Sequence, residues 1–339
     1  MRVYSMVREG QLDAFPEAVR RAETLGYDGA TLLELTVPPT LSAVAGAMTT
    51  KDLDLLTGVF VAFPRSPMAT AYDAWSIQAL SKGRFQLGLG TQIKTHIRRR
   101  FSTEVLPPMS RMREYVESLR AIWDCWQNGS RLDYQGKFYQ FSLMIPYYDP
   151  GPIEHPNIPI YLAAINKRMC QLTGELADGH LPGDPITDKW FDEVMLPNLE
   201  IGAARAGRTL ADLDLGSHGF IGCANSEEGL ARVREGLKKR VALYASTPEY
   251  EKILDMHGWK VDLSSFIDMA RAHRWDEMGQ LVTDDMLEAY AVIASPADLP
   301  GELKKRFGGR VNRLQIDETW FDGLSDADIT TLVTAIKAL

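Results

Sequence analysis

Residues 84–100 read RFQLGLGTQIKTHIRRR, where an apolar run passes through two glycines into a strongly basic segment. The first part, 84–90, predicts a buried β-strand, since apolar residues without polar alternation are typical of a parallel strand covered on both faces. Five basic or imidazole side chains then follow within seven residues: Lys94, His96, Arg98, Arg99 and Arg100. Because the whole chain carries a formal net charge of −8, this concentration indicates an anion held at the end of the strand.

The same order, a short strand followed by a helix, repeats on both sides of this segment. We expect strands at 2–7, 27–35, 52–63, 84–90, 158–164, 177–182, 213–223 and 310–317. Helical patterns separate them, among them 167–176, 189–206 and 226–244, and 131–141 predicts a small hairpin around Gln135–Gly136. Repeated β–α units imply a parallel sheet with right-handed crossovers.

Eight such units in 339 residues predict an α/β fold, a (β/α)8 TIM barrel with insertions, formed by a single domain over 1–339. Residues 246–292 exceed a minimal unit and predict a helical insertion. A doubly wound sheet is the alternative, but GLGTQI has Ile93 at the third glycine position of a dinucleotide fingerprint. In a barrel, the loops after the carboxyl ends of the strands carry the chemistry.

The composition argues against several classes of protein. A net negative charge disfavours a nucleic-acid surface, and no segment approaches the roughly 18 to 20 apolar residues of a membrane span. We therefore expect a cytoplasmic protein without nucleic-acid or membrane partners. Three widely spaced cysteines and six scattered histidines predict no disulfide framework and no metal site. Standard hydrolase motifs are missing as well, so we expect a cofactor to perform the difficult step.

Four separated segments resemble the luciferase-like monooxygenase superfamily, and more narrowly its actinobacterial branch of oxidoreductases that use the deazaflavin coenzyme F420. They are RSPMATAYDAWSIQ (65–78), LSKGRFQLGLGTQIKTHIRRRFS (80–102), RMREYVESLRAIWDCWQNG (111–129) and IPIYLAAINKRMCQLTGELADGHLPG (158–183). The resemblance covers essentially the whole chain, is weakest across 246–292, and implies the bacterial luciferase-like form of the TIM barrel.

The resemblance also implies a cofactor site. A non-proline cis peptide in the third strand would back the flavin-like ring at Gly58–Val59, and Glu34 would contact the ring edge. The loop after the fourth strand would contribute Gly88, Gly90, Thr91 and Gln92. Backbone amides of Ala164, Ile165 and Asn166, before a helix that begins at Lys167, would bind a phosphate, as helix N-termini do. Gly179 and His180, placed after the sixth strand, would complete the pocket.

Three residues are candidates for proton transfer: Glu34, His96 and His180. Many F420-using relatives carry a histidine directly after the acidic residue of the second strand, whereas this chain has Leu35. That departure argues against the alcohol oxidation of a sugar dehydrogenase. Glu34 could act as an acid if burial raised its pKa, and a salt-bridged carboxylate is the competing interpretation.

We therefore expect an F420-dependent oxidoreductase that transfers a hydride between C5 of the deazaflavin and a small organic substrate. Two alternatives stay open. One is an FMN-dependent monooxygenase that uses reduced flavin and O2, since FMN also ends in a phosphate. The other is a barrel that binds a flavin or deazaflavin without catalysis. Family relatives commonly dimerise through barrel helices, so a homodimer is expected, with the small-residue helix LSAVAGAM (41–48) permitting close approach.

Overall fold

The structure is a computed structural model that describes residues 1–183 and 185–339. Its strands are β1 (Arg2–Val7), β2 (Gly29–Leu32), β3 (Asp54–Thr57), β4 (Phe60–Val61), β5 (Phe85–Gly90), β6 (Tyr134–Gln135), β7 (Gln140–Phe141), β8 (Ile160–Ala163), β9 (Gly179–Leu181), β10 (Asp214–Leu215), β11 (Phe220–Ala224), β12 (Ala291–Ala294), β13 (Arg313–Ile316) and β14 (Phe321–Asp322).

The α-helices alternate with these strands over most of the chain. They are α1 (Phe15–Thr24), α2 (Pro39–Thr49), α3 (Pro67–Ser81), α4 (Lys94–Arg99), α5 (Pro108–Asn128), α6 (Lys167–Leu176), α7 (Asp188–Trp190), α8 (Leu196–Arg205), α9 (Glu227–Ala245), α10 (Glu251–His257), α11 (Leu263–Arg271), α12 (Trp275–Gln280), α13 (Asp284–Tyr290), α14 (Leu299–Phe307) and α15 (Asp326–Lys337).

The chain divides into two compact units. The larger unit contains Met6–Leu181 and Asn198–Asp214, and the smaller unit contains Met1–Ser5, Pro182–Pro197 and Leu215–Leu339. The sequence-based assignment of one domain over 1–339 stays a prediction.

In the larger unit, β2, β3, β5, β8 and β9 lie side by side in that order, and each neighbouring pair is parallel. Every residue of β2 and β5 is buried, as expected for strands covered on both faces. The predicted hairpin is confirmed, since β6 and β7 pair in antiparallel fashion.

Local signals in the sequence set the ends of several helices in this unit. Pro67 occupies the first position of α3, and the hydroxyl of the preceding Ser66 accepts the amide of Met68 at 3.2 Å. Helix α5 ends at Gly129, whose φ of +68° is a left-handed conformation that glycine adopts without a steric penalty. Helix α6 begins at Lys167, the residue predicted from the sequence.

In the smaller unit, Arg2–Ser5 of β1 pairs in parallel with β13, and β11 lies between β12 and β14. Helix α9 packs against β11 and α12. Helices α10 to α13 lie within the segment 246–292 that the sequence predicts to be a helical insertion, and residues 291–294 form strand β12.

The expected strand at 213–223 was wrong in its extent. It is divided into β10 and β11, because Gly219 between them has a φ of +73°, where an extended strand cannot continue. A Cβ atom at Gly219 would also collide with the main chain of Tyr290, so the turn requires glycine. The third predicted strand, 52–63, is similarly interrupted between β3 and β4.

Candidate functional site

The carboxyl ends of β2, β3, β5, β8 and β9 carry the residues singled out by the sequence, and all of these strands belong to the larger unit. Because the strands are parallel, their carboxyl ends meet at one edge of the sheet, where barrel enzymes place their chemistry. The predicted residues Glu34, Gly58, Val59, Thr91 and Gln92 lie on these connections, as do the residues that follow β8.

The segment between β3 and β4 contains the expected non-proline cis peptide, which joins Gly58 to Val59. The predicted glycines of β5 pack against this segment. A Cβ atom at Gly88 would collide with the carbonyl oxygen of Thr57, and one at Gly90 would collide with the side chain of Val59. Both glycines therefore make room for the 57–59 backbone and side chains. Their direct contact with a cofactor stays a prediction.

Thr57 fixes this arrangement with two hydrogen bonds to Gly88. Its hydroxyl accepts the amide of Gly88 at 2.8 Å and donates to the carbonyl of Gly88 at 2.9 Å. The residue is fully buried. The segment that the sequence assigned to the ring face is therefore held to β5 by side-chain as well as main-chain bonds.

Glu34, which follows β2, forms a bidentate ion pair with Arg65. Its Oε1 accepts Arg65 Nη2 and its Oε2 accepts Arg65 Nη1, both at 2.9 Å. Oε2 also accepts the amide of Val61 at 2.7 Å, and the glutamate side chain is only 7% exposed. Charge-assisted pairs of this geometry are strong and directional. The salt-bridged interpretation of Glu34 is the one observed.

Arg65 was not among the site residues predicted from the sequence. The segment RSPMATAYDAWSIQ begins at this residue and was used only for the resemblance. The detectable signal was a cation directly before a proline-initiated helix, in the connection that follows β4 at the edge of the predicted site.

The loops after β5 and β8 have matching lengths. Leu89 pairs with Leu162 in the parallel register, and α4 and α6 each begin five residues later, at Lys94 and Lys167. In the first loop Gln92 adopts a φ of +57°, and its side-chain oxygen accepts the amide of Ile93 at 2.9 Å. Two helices therefore start at equivalent distances beyond adjacent strands.

The starts of these two helices carry exposed basic or imidazole side chains. Among the residues that the structure describes, these side chains form no hydrogen bond or ion pair: Lys94, His96, Arg98, Arg99, Lys167 and Arg168. Arg100 differs, because its Nη2 donates to the carbonyl of Leu35 at 3.1 Å. We call the six unmatched residues the cationic rim.

The amides predicted to bind a phosphate are only partly available. The amide of Ala164 donates to the carbonyl of Leu181 at 3.2 Å, so this predicted donor is already used. Asn166 caps α6 with its main chain but makes no side-chain capping bond. The first amides of a helix have no partner within the helix. Since the Cys170 amide donates to the Asn166 carbonyl, the amides before it, from Asn166 to Met169, are the donors at the start of α6, whereas Ile165 precedes the cap.

Gly179 and His180 were expected after the sixth strand, but they lie within β9. A Cβ atom at Gly179 would collide with the ring of Tyr161. His180 is fully buried, and its Nε2 lies 2.8 Å from the carbonyl oxygen of Ala164. The imidazole thus ties β9 to the loop after β8. Of the three predicted proton-transfer residues, His96 is exposed and the other two are bound to protein groups.

A second charged cluster lies in the smaller unit. Asp188 accepts His218 Nε2 at 2.8 Å and Arg306 Nε at 3.0 Å. Arg306 is 8% exposed and also donates to the carbonyls of Glu288 and Ala289, at 3.1 and 2.6 Å. His218 stacks on Phe191 with ring centroids 4.3 Å apart. The Asp188 side chain is 40% exposed, whereas those of His218 and Arg306 are buried. We call Asp188, His218 and Arg306 the Asp188 triad.

Burial and the hydrogen bond between His218 and Asp188 act in opposite directions on the pKa of each residue. Burial lowers the pKa of His218, an effect that the hydrogen bond to Asp188 only partly opposes. Burial alone would raise the pKa of Asp188, but the hydrogen bond from His218 and the charges of Arg306 and Arg310 outweigh it, so the pKa is lowered. Every charge in this cluster has a partner within the unit.

Within 1–183 and 185–339, no group of three or more histidine, cysteine, aspartate or glutamate side chains has a geometry that could hold a metal ion. No helix in the described part of the chain has the length and hydropathy needed to cross a bilayer. The three cysteines are buried, and burial raises the pKa of the Cys170 thiol to about 12.

Comparison with known proteins shows both the fold and the family. The chain is 37% identical over 304 residues to an uncharacterised protein of Mycobacterium tuberculosis, covering 90% of this chain and 89% of the relative. It is 28% identical over 259 residues to a 5,10-methylenetetrahydromethanopterin reductase of Archaeoglobus fulgidus, covering 75% of this chain and 73% of the relative.

Among solved structures, the coenzyme F420-dependent tetrahydromethanopterin reductase of Methanopyrus kandleri superposes with a TM-score of 0.80 at 18% identity. The alignment covers 99% of this chain and 98% of that chain. The predicted (β/α)8 TIM-barrel fold is thereby confirmed. The family described as luciferase-like monooxygenase matches residues 2–311. This chain therefore belongs to the luciferase-like monooxygenase family.

Proposed function

We propose that this protein is an oxidoreductase that binds coenzyme F420 and transfers a hydride between the deazaflavin ring and a small organic substrate. The observation that carries the proposal is the cationic rim, in which six exposed cationic or imidazole side chains at the starts of α4 and α6 have no partner among the described residues. Membership of the luciferase-like family and the fold shared with an F420-dependent reductase support the choice of a deazaflavin.

The donor groups present fit a planar cofactor with an anionic tail. Lys167 and Arg168 would hold the tail phosphate, with the amides at the start of α6. The Gly58–Val59 segment, held to β5 by Thr57, would support the ring. Thr91, Gln92 and Ile165 would line the loops on either side. A bound deazaflavin supplies the ring carbon that donates or accepts the hydride.

Within this proposal, His96 is the residue that moves a proton. Both oxygens of Glu34 accept hydrogen bonds from Arg65, and His180 is buried against a backbone carbonyl. The imidazole of His96 is exposed on α4 and has no partner among the described residues. Replacement of His96 by Gln should lower kcat by about 100-fold, as for loss of a general acid or base, and should weaken F420 binding far less than loss of Lys167 and Arg168 does. An unaltered kcat would assign the proton to another group.

The direct test is titration of the purified protein with F420 and, separately, with FMN, followed by the fluorescence of each ring. We expect saturable binding of F420 at micromolar concentration or below and weaker binding of FMN. Tighter binding of FMN, with O2-dependent turnover, would replace the proposal by a flavin monooxygenase. Tight F420 binding without reduction or oxidation of any compound in a broad substrate panel would favour a non-catalytic barrel.

A cytoplasmic location and a homodimer are part of the same proposal. The small residues of α2 are not available for a partner, because Ala43, Gly46 and Ala47 are buried and Gly46 lies against the side chain of Leu55. Leu41 and Met48 are exposed, seven residues apart on one face of α2. A dimer through this helix would use that face. Light scattering of wild type and a Met48→Glu variant tests it, with a monomeric variant expected.

A further inference from the structure

Strand β4 has main-chain groups that face away from its partner strand. Phe60 pairs with Leu89 and Val61 with Gly90, and the amide of Ala62 donates to the carbonyl of Gly90 at 3.0 Å. In a parallel ladder, successive residues direct their N–H and C=O groups to opposite neighbours. Since Ala62 faces β5, the amide and carbonyl of Val61 face the opposite side, toward the position where β2 would continue.

Strand β2 has ended before that point. The last main-chain bond on this side joins the amide of Gly58 to the carbonyl of Leu32, at 2.8 Å. Side chains then take the place of the strand. Glu34 Oε2 accepts the Val61 amide at 2.7 Å, and Arg65 Nη1 donates to the Val61 carbonyl at 2.9 Å. Both main-chain groups of Val61 are thereby satisfied without a second strand.

Three contacts hold the Glu34–Arg65 pair in place. The guanidinium bonds both carboxylate oxygens of Glu34 at 2.9 Å, a geometry that fixes the two planes relative to one another. The same guanidinium lies 4.2 Å from the centroid of the Phe60 ring. The Glu34 side chain is 7% exposed, so little water competes for these bonds. The segment from Gly58 to Val61 is therefore fastened to β5 on one side and to an ion pair on the other.

We propose that Arg65 is a positioning residue of the F420 site. Together with Glu34 it replaces a strand neighbour for β4 and fixes the Gly58–Val61 segment in the position that supports the cofactor ring. This inference rests on the proposed function, since that function assigns the ring to this segment. It also gives Glu34 a structural purpose in the site, as an acceptor of hydrogen bonds, in place of proton donation.

The test replaces Arg65 by Met, which keeps the length of the side chain and removes its donors. F420 affinity should fall about tenfold or more, because small displacements of a supporting surface weaken a site strongly. The F420 affinity of Arg65→Lys should lie between those of wild type and Arg65→Met, since an ammonium cannot bond both carboxylate oxygens and the Val61 carbonyl in one plane. Arg113→Met is the matched control, since it breaks a 2.7 Å ion pair with Glu175 elsewhere in the larger unit, and it should bind F420 like wild type.

A double variant, Glu34→Gln with Arg65→Met, separates positioning from stability. Arg65→Met alone leaves a buried carboxylate without its cation and should lower Tm, whereas the double variant removes both charges and should recover much of that loss. Its F420 affinity should nevertheless stay low, because the Val61 carbonyl still has no donor. Recovery of wild-type affinity together with Tm would overturn the inference.

Hydrogen exchange of the Val61 amide provides a readout without cofactor. We expect faster exchange at Val61 in Arg65→Met than in wild type, and no change in Arg113→Met. If wild type binds F420 and Arg65→Met binds it equally well, the inference fails and the proposed function stands. If wild type does not bind F420, the proposed function fails, and so does the role of Arg65 in an F420 site. Exchange at Val61 then shows whether the pair still fixes the segment.

Discussion

The two charged clusters of this molecule differ in how completely their charges are matched. In the smaller unit, the Asp188 triad joins Asp188 to His218 and Arg306, and Arg306 donates to two further carbonyls. In the larger unit, the cationic rim has no side-chain partners among the described residues. Charges that serve the fold are paired within it, because unpaired burial is costly. Charges at the strand ends that stay unmatched and exposed are the ones available to a ligand.

The larger unit contains both paired charges and the unpaired charges of the rim. Glu34 and Arg65 are as fully paired as the triad, although they lie at the edge where the rim residues are found. Proximity to the strand ends is therefore a weaker guide to ligand binding than the state of pairing. This comparison leads to different expectations for stability and for cofactor affinity when each cluster is altered.

The largest expected effect is on the triad. Replacing Arg306 by Met leaves the carbonyls of Glu288 and Ala289 without their donor and removes one of the donors to Asp188, which keeps the hydrogen bond from His218. The free energy of unfolding should fall by about 3 kcal/mol. F420 affinity should be unchanged. Urea denaturation measures the free energy of unfolding, and fluorescence titration measures the F420 affinity. Arg271→Met is the control, because its ion pair with Asp268 is exposed and should contribute less than about 0.5 kcal/mol. A loss of affinity with intact stability would reverse the roles of the two clusters.

A smaller effect is expected at Gly88, which the structure assigns to packing. A methyl group there would collide with the Thr57 carbonyl and approach Leu181, so Gly88→Ala should lower the free energy of unfolding by about 2 kcal/mol. Gly10→Ala is the control, since no atom lies within 4 Å of its Cβ position. Thermal denaturation compares the two. A stable Gly88→Ala protein with impaired F420 binding would mean that the glycine faces the ligand after all.

The smallest effect is a change in pH dependence. Burial lowers the pKa of His218 below its ordinary 6.5, so below that pH the unfolded chain binds a proton that the folded chain does not. Stability should therefore fall as pH decreases from about 6.5, and His218→Gln should show a shallower fall between pH 7 and 5. The His257 pKa is lowered too, by burial and Lys189, so part of the slope remains. Parallel Tm profiles for wild type and variant would contradict the assignment.

Much of the fold could be predicted from the sequence because its signals are local. Apolar runs mark the strands, Pro67 marks the start of α3, and the start of α6 was predicted at the observed residue. The errors arose where a contact distant in sequence decides the structure. The turn at Gly219 depends on the main chain of Tyr290, about 70 residues away in the sequence. Strand β12, at the end of the predicted helical insertion, was not predicted for the same reason, since it pairs with the distant strand β11.

The candidate site could be located from the sequence, but the pairing of its residues could not. The basic run from Lys94 to Arg100 was visible directly, and its basic side chains are exposed. That they hold an anion stays a prediction. Nothing in the sequence joins Glu34 to Arg65, because 31 residues separate them and a pair of opposite charges has many potential partners. Likewise, Gly88 and Gly90 suggested space for a ligand, while the structure fills that space with Thr57 and Val59.

The central claim is that the unmatched cations of the rim hold the anionic tail of a deazaflavin. The most direct measurement is the Kd for F420 of wild type and of a Lys167→Ala, Arg168→Ala variant, with Lys51→Ala, Arg131→Ala as the charge-matched control. We expect micromolar or tighter binding by wild type and control, and binding about tenfold weaker by the rim variant, a difference of about 1.4 kcal/mol. Equal affinity in all three proteins, or no binding by wild type, would contradict the claim.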